Sequence, residues 1–326
     1  MVKEKNSRKA QKQILEEIFE KKTYDKYYDD WIRNFALNLN HIWKGRSVRD
    51  CSAYENQFKS KTGLVIGRGP SVIKNNHLEM LSSRGFDGTI ICTDSALKTC
   101  LTSGITPEKF KRFYVVSIDT NDYVNKFSQG AIVKRFGKKI KCLLSTTVHP
   151  STYRDAKKSG MEVFWFHTLF DYNKGKSSFN YISGIIAKSK NHEKGLPAIQ
   201  TGGNVGTSSW IIAWSILKLS TVGLIGIDHG YTNDMSWESI SNQHKIPERI
   251  DRNSKAFKKA YPTVYNPDFK TYCKQDPLFV YYSNALKEFI PKAPDWVKTI
   301  NATEGGAIFG KGIQCMKFRN FLKKFG

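Results

Sequence analysis

From residue 62 onward the chain repeats one rhythm: a short, nearly uninterrupted apolar run, a polar or glycine-bearing turn, then a longer stretch with apolar positions at helical spacing. The runs are "GLVIG", "GTIICTD", "RFYVVSID", "KIKCLLST", "MEVFWFH", "TVGLIGID" and "VKTINAT". Continuous rather than alternating apolar character predicts strands covered on both faces, as parallel sheets require. Helical patterns over 71–84, 95–103, 151–159 and 206–218 fall between them and predict βαβ units with right-handed crossovers. The expected class is α/β, a doubly wound and mostly parallel sheet.

Two regions break the rhythm. Residues 8–44 read as helical, with Ile14, Ile18, Phe19, Trp31, Phe35, Leu37 and Trp43 near one stripe, and the polar "KGRSVRDCSAYENQFKSK" separates them from the first strand. This sets an N-terminal helical arm over 1–61 apart from a main domain over 62–326. Packing on that domain is the ordinary fate of such a stripe; the alternative is contact with an anionic surface or membrane through the basic arm. Residues 229–275, polar, aromatic and Pro-containing, read as a lid-like insertion.

Composition narrows the class. Hydrophobic residues make up 40% of 326, enough for a sizeable core. No apolar run approaches the roughly 18 residues of a membrane span, and "MVKEKNSRKAQKQ" lacks the apolar core of a signal peptide, so a soluble cytoplasmic protein is expected. The six cysteines form no C-x-x-C pair and sit mostly in apolar runs, as buried free thiols do. A net charge of +23 suits nucleic acid, anionic membrane or phosphorylated ligands. No zinc-finger, RNP-like or basic-zipper pattern supports sequence-specific nucleic-acid binding.

In an open α/β sheet ligands bind beyond the carboxyl ends of the strands. Three of the runs end in Asp94, Asp119 and Asp228, the last followed by His229 and Tyr231. The first run ends in Gly67, Arg68, Gly69, Pro70 and Ser71, where two glycines permit a tight turn and a helix start favours an anion. A second glycine stretch, Thr201, Gly202, Gly203, Asn204, Gly206 and Thr207, opens a strongly apolar helix in the same way. A plain βα turn and close helix–strand packing explain either stretch alone. Together with the aspartates they point to a nucleotide or sugar-nucleotide pocket, with Arg68 an available phosphate partner. For acid/base work the histidines are candidates: His229, and His244 in the presumed lid. His167, inside "VFWFHTLF", reads as a satisfied core residue.

The order and spacing of "LVIGRGPSV", "CTDSALKTCLTSGITPEKFKRFYVVSIDT", "GGNVGTSSWIIAWSILKLSTVGLIGIDHGYT" and "INATEGGAIFGKGI" resemble the domain shared by bacterial motility accessory factors and archaeal 6-hydroxymethylpterin diphosphokinases of the MptE type. The resemblance implies a Rossmann-like domain similar to sialyltransferases that use CMP-activated sugars. It places the nucleotide against Gly67, Gly69, Pro70, Ser71, Gly202, Gly203 and Asn204, with Asp119 and Asp228 closing the pocket.

Its two branches imply different chemistry. The diphosphokinase branch uses an acidic cluster after the third strand to hold Mg²⁺ against ATP. Here "SIDT" puts Ser117 where one Asp is expected, leaving Asp119 as the metal ligand under that alternative. The motility-accessory branch ends the strand in a single Asp, continues with a "VHP" segment and closes with "NATEGGA", and all three are present. The leading expectation is therefore a glycosyltransferase-like enzyme that moves a sugar from a nucleotide donor to a protein or glycan acceptor, without a tightly bound metal. His244, His229 or Asp228 would handle the acceptor proton. The third alternative is a non-enzymatic nucleotide- or RNA-binding protein.

Overall fold

A computed structural model describes residues 26–326 apart from 170, 172, 174, 244–250 and 252. Among these residues the strands form two sheets. The first eight strands are β1 (Arg46–Ser47), β2 (Thr62–Ile66), β3 (Thr89–Thr93), β4 (Phe113–Ser117), β5 (Lys141–Ser145), β6 (Glu162–Thr168), β7 (Ala198–Ile199) and β8 (Thr221–Ile225). Then come β9 (Tyr231–Thr232), β10 (Thr263–Asn266), β11 (Thr271–Lys274), β12 (Lys298–Asn301) and β13 (Ile313–Cys315). The ten-stranded main sheet runs β1-β6-β5-β4-β3-β2-β8-β12-β13, with β7 beside β6, and every pairing in it is parallel.

All seven predicted apolar runs are strands of this sheet, and β2, β3, β4 and β8 are buried along their whole length. Their side chains alternate between two core layers: Leu64, Ile90, Cys92 and Val115 enter one, while Val65, Ile91, Tyr114 and Val116 enter the other. Both faces are apolar because both are covered by helices, which is why the runs do not alternate.

Strands β2 through β6 step outward in one direction, and β8, β12 and β13 step outward in the other. The order reverses between β2 and β8, whose last residues, Ile66 and Ile225, are register partners. Crossover helices leave the two strands on opposite sides at this point, so a crevice opens beyond their carboxyl ends.

The helical stripe of the N-terminal arm, within its described part, is a helix over 26–44. It lies on the sheet: Asn34 donates to the Thr120 and Thr147 carbonyls, and Asn38 donates to those of Thr146 and Val148. β1, from the polar stretch that follows, adds to the edge of β6.

Two expectations need correction. The helix predicted over 71–84 breaks into Ser71–Lys74 and His77–Arg84, because Asn76 takes a left-handed backbone with φ 51°, which asparagine tolerates better than most residues. The 229–275 insertion is not simply irregular: β9, β10 and β11 form an antiparallel sheet, with helices at Trp237–Gln243 and Lys255–Ala260. All six cysteines are free, and only Cys315 is partly exposed. No described helix is long and apolar enough to cross a membrane.

Candidate functional site

At the switch point the first glycine loop and the end of β8 lock together. Gly67 N–H donates to the Ile225 carbonyl at 2.9 Å and Gly69 N–H to that of Gly226 at 2.8 Å. These two amides extend the β2–β8 pairing beyond the strands, and the loop makes the tight turn that its glycines permit. The carboxylate of Asp228 takes the place beside the loop: Ser71 Oγ donates to its Oδ2 at 2.8 Å. A Cβ on Gly69 would collide with that oxygen, so glycine is required here for close approach. Burial pushes the Asp228 carboxyl up to about 7, opposed by hydrogen bonds from Ser71. The "NATEGGA" segment closes over it, with Ala307 N–H donating to the Asp228 carbonyl at 2.8 Å.

The second glycine stretch lies across Ile227. Gly67 and Gly206 both leave room for the Ile227 side chain, which brings the two stretches to either side of one residue. Asn204 caps helix Val205–Ser215, its Oδ1 accepting from Thr207 N–H at 2.9 Å and its Nδ2 donating to Thr207 Oγ1 at 2.9 Å. Helix geometry leaves the Val205 and Gly206 amides without an intrahelical acceptor. Thr201 Oγ1 accepts from Gly203 N–H at 3.1 Å. Gly203, at φ 79°, lies beneath the rings of Tyr281 and Tyr282, which a Cβ would strike.

Tyr281 and Tyr282, on helix Pro277–Phe289, form an aromatic wall that the sequence analysis missed. The signal was there: Asp276-Pro277 is a cap followed by a favoured first helical residue, and an apolar, tyrosine-rich pattern follows. Tyr231 is tied to this wall, its hydroxyl donating to Asp276 Oδ2 at 2.8 Å and its ring 5.0 Å from Phe279. His229, with a left-handed backbone at φ 44°, is buried with its ring 6.0 Å from Tyr282. Its Nδ1 has no hydrogen-bond partner among the described residues. Burial, with the Lys287 charge adding, pushes its imidazole down to about 3. It is therefore neutral near pH 7.

The ends of β3 and β4 supply the next wall. Asp94 accepts from Ser95 N–H and from Ser117 Oγ, both at 2.6 Å. Burial pushes Asp94 up to about 6, the two hydrogen bonds pull it back, and the Asp119 charge adds to the rise. Asp119 Oδ1 accepts from Asn121 Nδ2 at 2.8 Å and its Oδ2 from Tyr123 at 3.1 Å. Burial raises the Tyr282 phenol, with Asp119 adding, which sets Asp119 near the tyrosine wall. Arg68 and Pro70 are exposed on the loop that rims the crevice. His244 lies outside the described residues. His167 is the satisfied core residue expected, its Nδ1 2.7 Å from Thr146 Oγ1.

The predicted residues of the glycine stretches and strand ends thus lie at the carboxyl ends of β2, β3, β4 and β8 and at the start of helix Val205–Ser215. A family model described as 6-hydroxymethylpterin diphosphokinase MptE-like matches residues 33–234. Among solved structures, the chain is similar to the MAf glycosyltransferase from Magnetospirillum magneticum AMB-1, with a TM-score of 0.55 and 14% identity. The match covers 80% of this chain and 34% of that one, so the chain spans about a third of the length of that glycosyltransferase. At this identity the likeness is one of fold. No curated protein matches the chain. The matched span carries both glycine stretches, Asp94, Asp119 and the Asp228–His229 pair, and covers more than half of the sequence: the chain belongs to the MptE-like family.

Proposed function

We propose that the protein is a nucleotide-dependent transferase of the motility-accessory type that takes a CMP-activated sugar as donor and a protein or glycan hydroxyl as acceptor. The observation that carries this reading is the buried carboxylate at the switch point, Asp228, held by Ser71 and pushed up to about 7. A group that exchanges its proton near neutral pH is suited to general-base work. The acceptor oxygen would attack the anomeric carbon as the bond to the nucleotide phosphate breaks, and its proton would pass to Asp228. The CMP phosphate would sit at the Val205 and Gly206 amides, where the helix end favours an anion. Arg68 is free to approach from the rim. Tyr281 and Tyr282 offer flat apolar faces for the donor sugar or base.

His229 fits a positioning role better than a proton-transfer one. A buried imidazole titrating near 3 is a weak base at neutral pH, whereas Asp228 lies close to it.

The description of the family model favours a second reading, Mg²⁺-dependent diphosphoryl transfer from ATP to 6-hydroxymethylpterin. The donor set here is weaker than the paired aspartates that chemistry uses, with Asp94 and Asp119 left to share the metal with the substrate phosphates. Ser117 offers a hydroxyl where a carboxylate would help hold the ion, and it donates to Asp94. The Asp119 oxygens accept from Asn121 and Tyr123. Among the described residues no group of three His, Cys, Asp or Glu side chains is placed to hold a metal ion.

Calorimetric titration with CMP, CTP and ATP, each with and without Mg²⁺, separates the readings. The expected result is metal-independent CMP binding, retained by Asp228→Asn, with sugar transfer in that variant reduced about 10²- to 10⁴-fold. Metal-dependent release of AMP from ATP in the presence of the pterin would establish the diphosphokinase reading instead. If no nucleotide binds and RNA binds with a steep salt dependence, both enzyme readings fall.

A further inference from the structure

Helix Phe179–Ile186 carries apolar residues on its outer side as well as toward the core. Its polar residues face the protein. Ser178 caps it and donates Oγ to Asp171 Oδ1 at 2.9 Å. Asn180 donates its backbone N–H to Asp171 Oδ2 and its side-chain Nδ2 to the Asp171 carbonyl. Ser183 is fully buried, 3.1 Å from His167 Nε2. Phe179 packs inward on Phe35, their rings 5.6 Å apart, whereas four large apolar residues face outward: Tyr181, Ile182, Ile185 and Ile186 are 48%, 40%, 53% and 40% exposed. The spacing i, i+1, i+4, i+5 puts them on one side of the helix. Trp43 extends this face, 42% exposed, with its Nε1 donating to the Ile186 carbonyl at 2.7 Å.

A hydrogen-bonded polar side fixes the helix in this orientation, so the apolar side cannot turn inward without breaking that network. Such a face calls for an apolar partner surface. The charges around it identify the partner's chemistry. Lys44 follows Trp43, Lys176 precedes the helix, and Lys188, Lys190 and Lys194 follow it, all exposed; Glu193 is the single acid between 172 and 195. An apolar strip carrying Trp and Tyr, ringed by lysines on a chain of net charge +23, has the make-up of an interfacial helix. Lysine stems can lie along the apolar strip while their ammonium groups reach phosphates.

We propose that this face, Trp43 together with Tyr181, Ile182, Ile185 and Ile186, docks the protein reversibly on an anionic lipid surface. The contact is peripheral, since the helix is far too short to span a bilayer. It does not involve the switch-point crevice and stands whether or not the transferase reading does.

Flotation of the full chain with vesicles tests it, comparing phosphatidylcholine alone with equal parts phosphatidylcholine and phosphatidylglycerol. The expected result is binding to the anionic vesicles only, weakening as salt is raised. Lys188→Glu with Lys190→Glu should reduce partitioning about 25-fold, roughly five-fold for each lysine. Ile182→Ser with Ile185→Ser should abolish it; these side chains are exposed, and an unchanged thermal transition confirms that the variant folds. Equal binding to both vesicles, or unchanged binding by both double variants, overturns the proposal. A dimer in solution that becomes monomeric in the isoleucine variant also overturns it, by showing that a second copy covers the face.

Discussion

Asp228 holds its proton in a place where the ionised form is disfavoured, and that has a measurable sign. Its ordinary value is 3.8 and its folded value about 7. Below about pH 4 the group is protonated in both folded and unfolded chains. As pH rises toward 7 the unfolded chain ionises first, so the folded state loses stability through this window. Asparagine keeps an acceptor for Ser71 and does not titrate. The melting temperature of the unchanged protein minus that of Asp228→Asn should therefore fall between about pH 4 and 7 and stay flat above it, as thermal unfolding across a pH series would show. The identity of Asp228 as a strand-end carboxylate was legible in the sequence. Its partner was not, because Ser71 lies 157 residues away and only the β2–β8 pairing brings the two together. The same holds for Ser117: its departure from the expected Asp could be read, but not that its hydroxyl would be turned onto Asp94.

Among the elements, helix Pro277–Phe289 is the one on which the tyrosine wall depends. Asp276 holds it at two points, accepting from Phe279 N–H at 2.7 Å and from the Tyr231 hydroxyl at 2.8 Å. Asp276→Ala removes a cap worth about 1 kcal/mol and the charged acceptor of the Tyr231 hydroxyl, worth about 1–2 kcal/mol more. Urea denaturation should show a loss of about 2–3 kcal/mol. The long parallel strands could be read because burial on both faces leaves an unbroken apolar run. β1 and β7 could not, since each is only two residues long and exists through its neighbour β6. The antiparallel sheet of the insertion also escaped, since its strands are short and mostly half-exposed, which weakens any alternation. The break at Asn75-Asn76 was overlooked within a pattern that otherwise suits a helix.

At the scale of the whole molecule, the site depends on residues brought from distant parts of the sequence. β8 is paired with β12 on the side away from β2, and the last helix, Phe318–Phe325, covers one of its faces. Phe321 is fully buried, and its ring packs on Gly223 in β8, where a Cβ would strike it. Phe321→Ala should cost about 3–5 kcal/mol in chemical denaturation and, through β8, loosen the Asp228 corner. The doubly wound class was legible because it follows from the alternation of strand and helix; the exact reach of the C-terminal helix was not, since its aromatic face names no partner. The cysteines give this architecture a clock. Cys92, Cys100 and Cys142 lie in one core layer and Cys51 in the other, Cys273 belongs to the insertion sheet and Cys315 to the edge strand β13. Burial pushes the Cys273 thiol up to about 11 and, with Asp268 adding, that of Cys315 up to about 12, so neither is a ready nucleophile in the closed fold. Alkylation at neutral pH should therefore advance only as each region opens: Cys315 and Cys273 first, the central thiols at the rate of global unfolding. Mass spectrometry of a labelling time course would read the order in which the molecule comes apart, with no probe added to the chain.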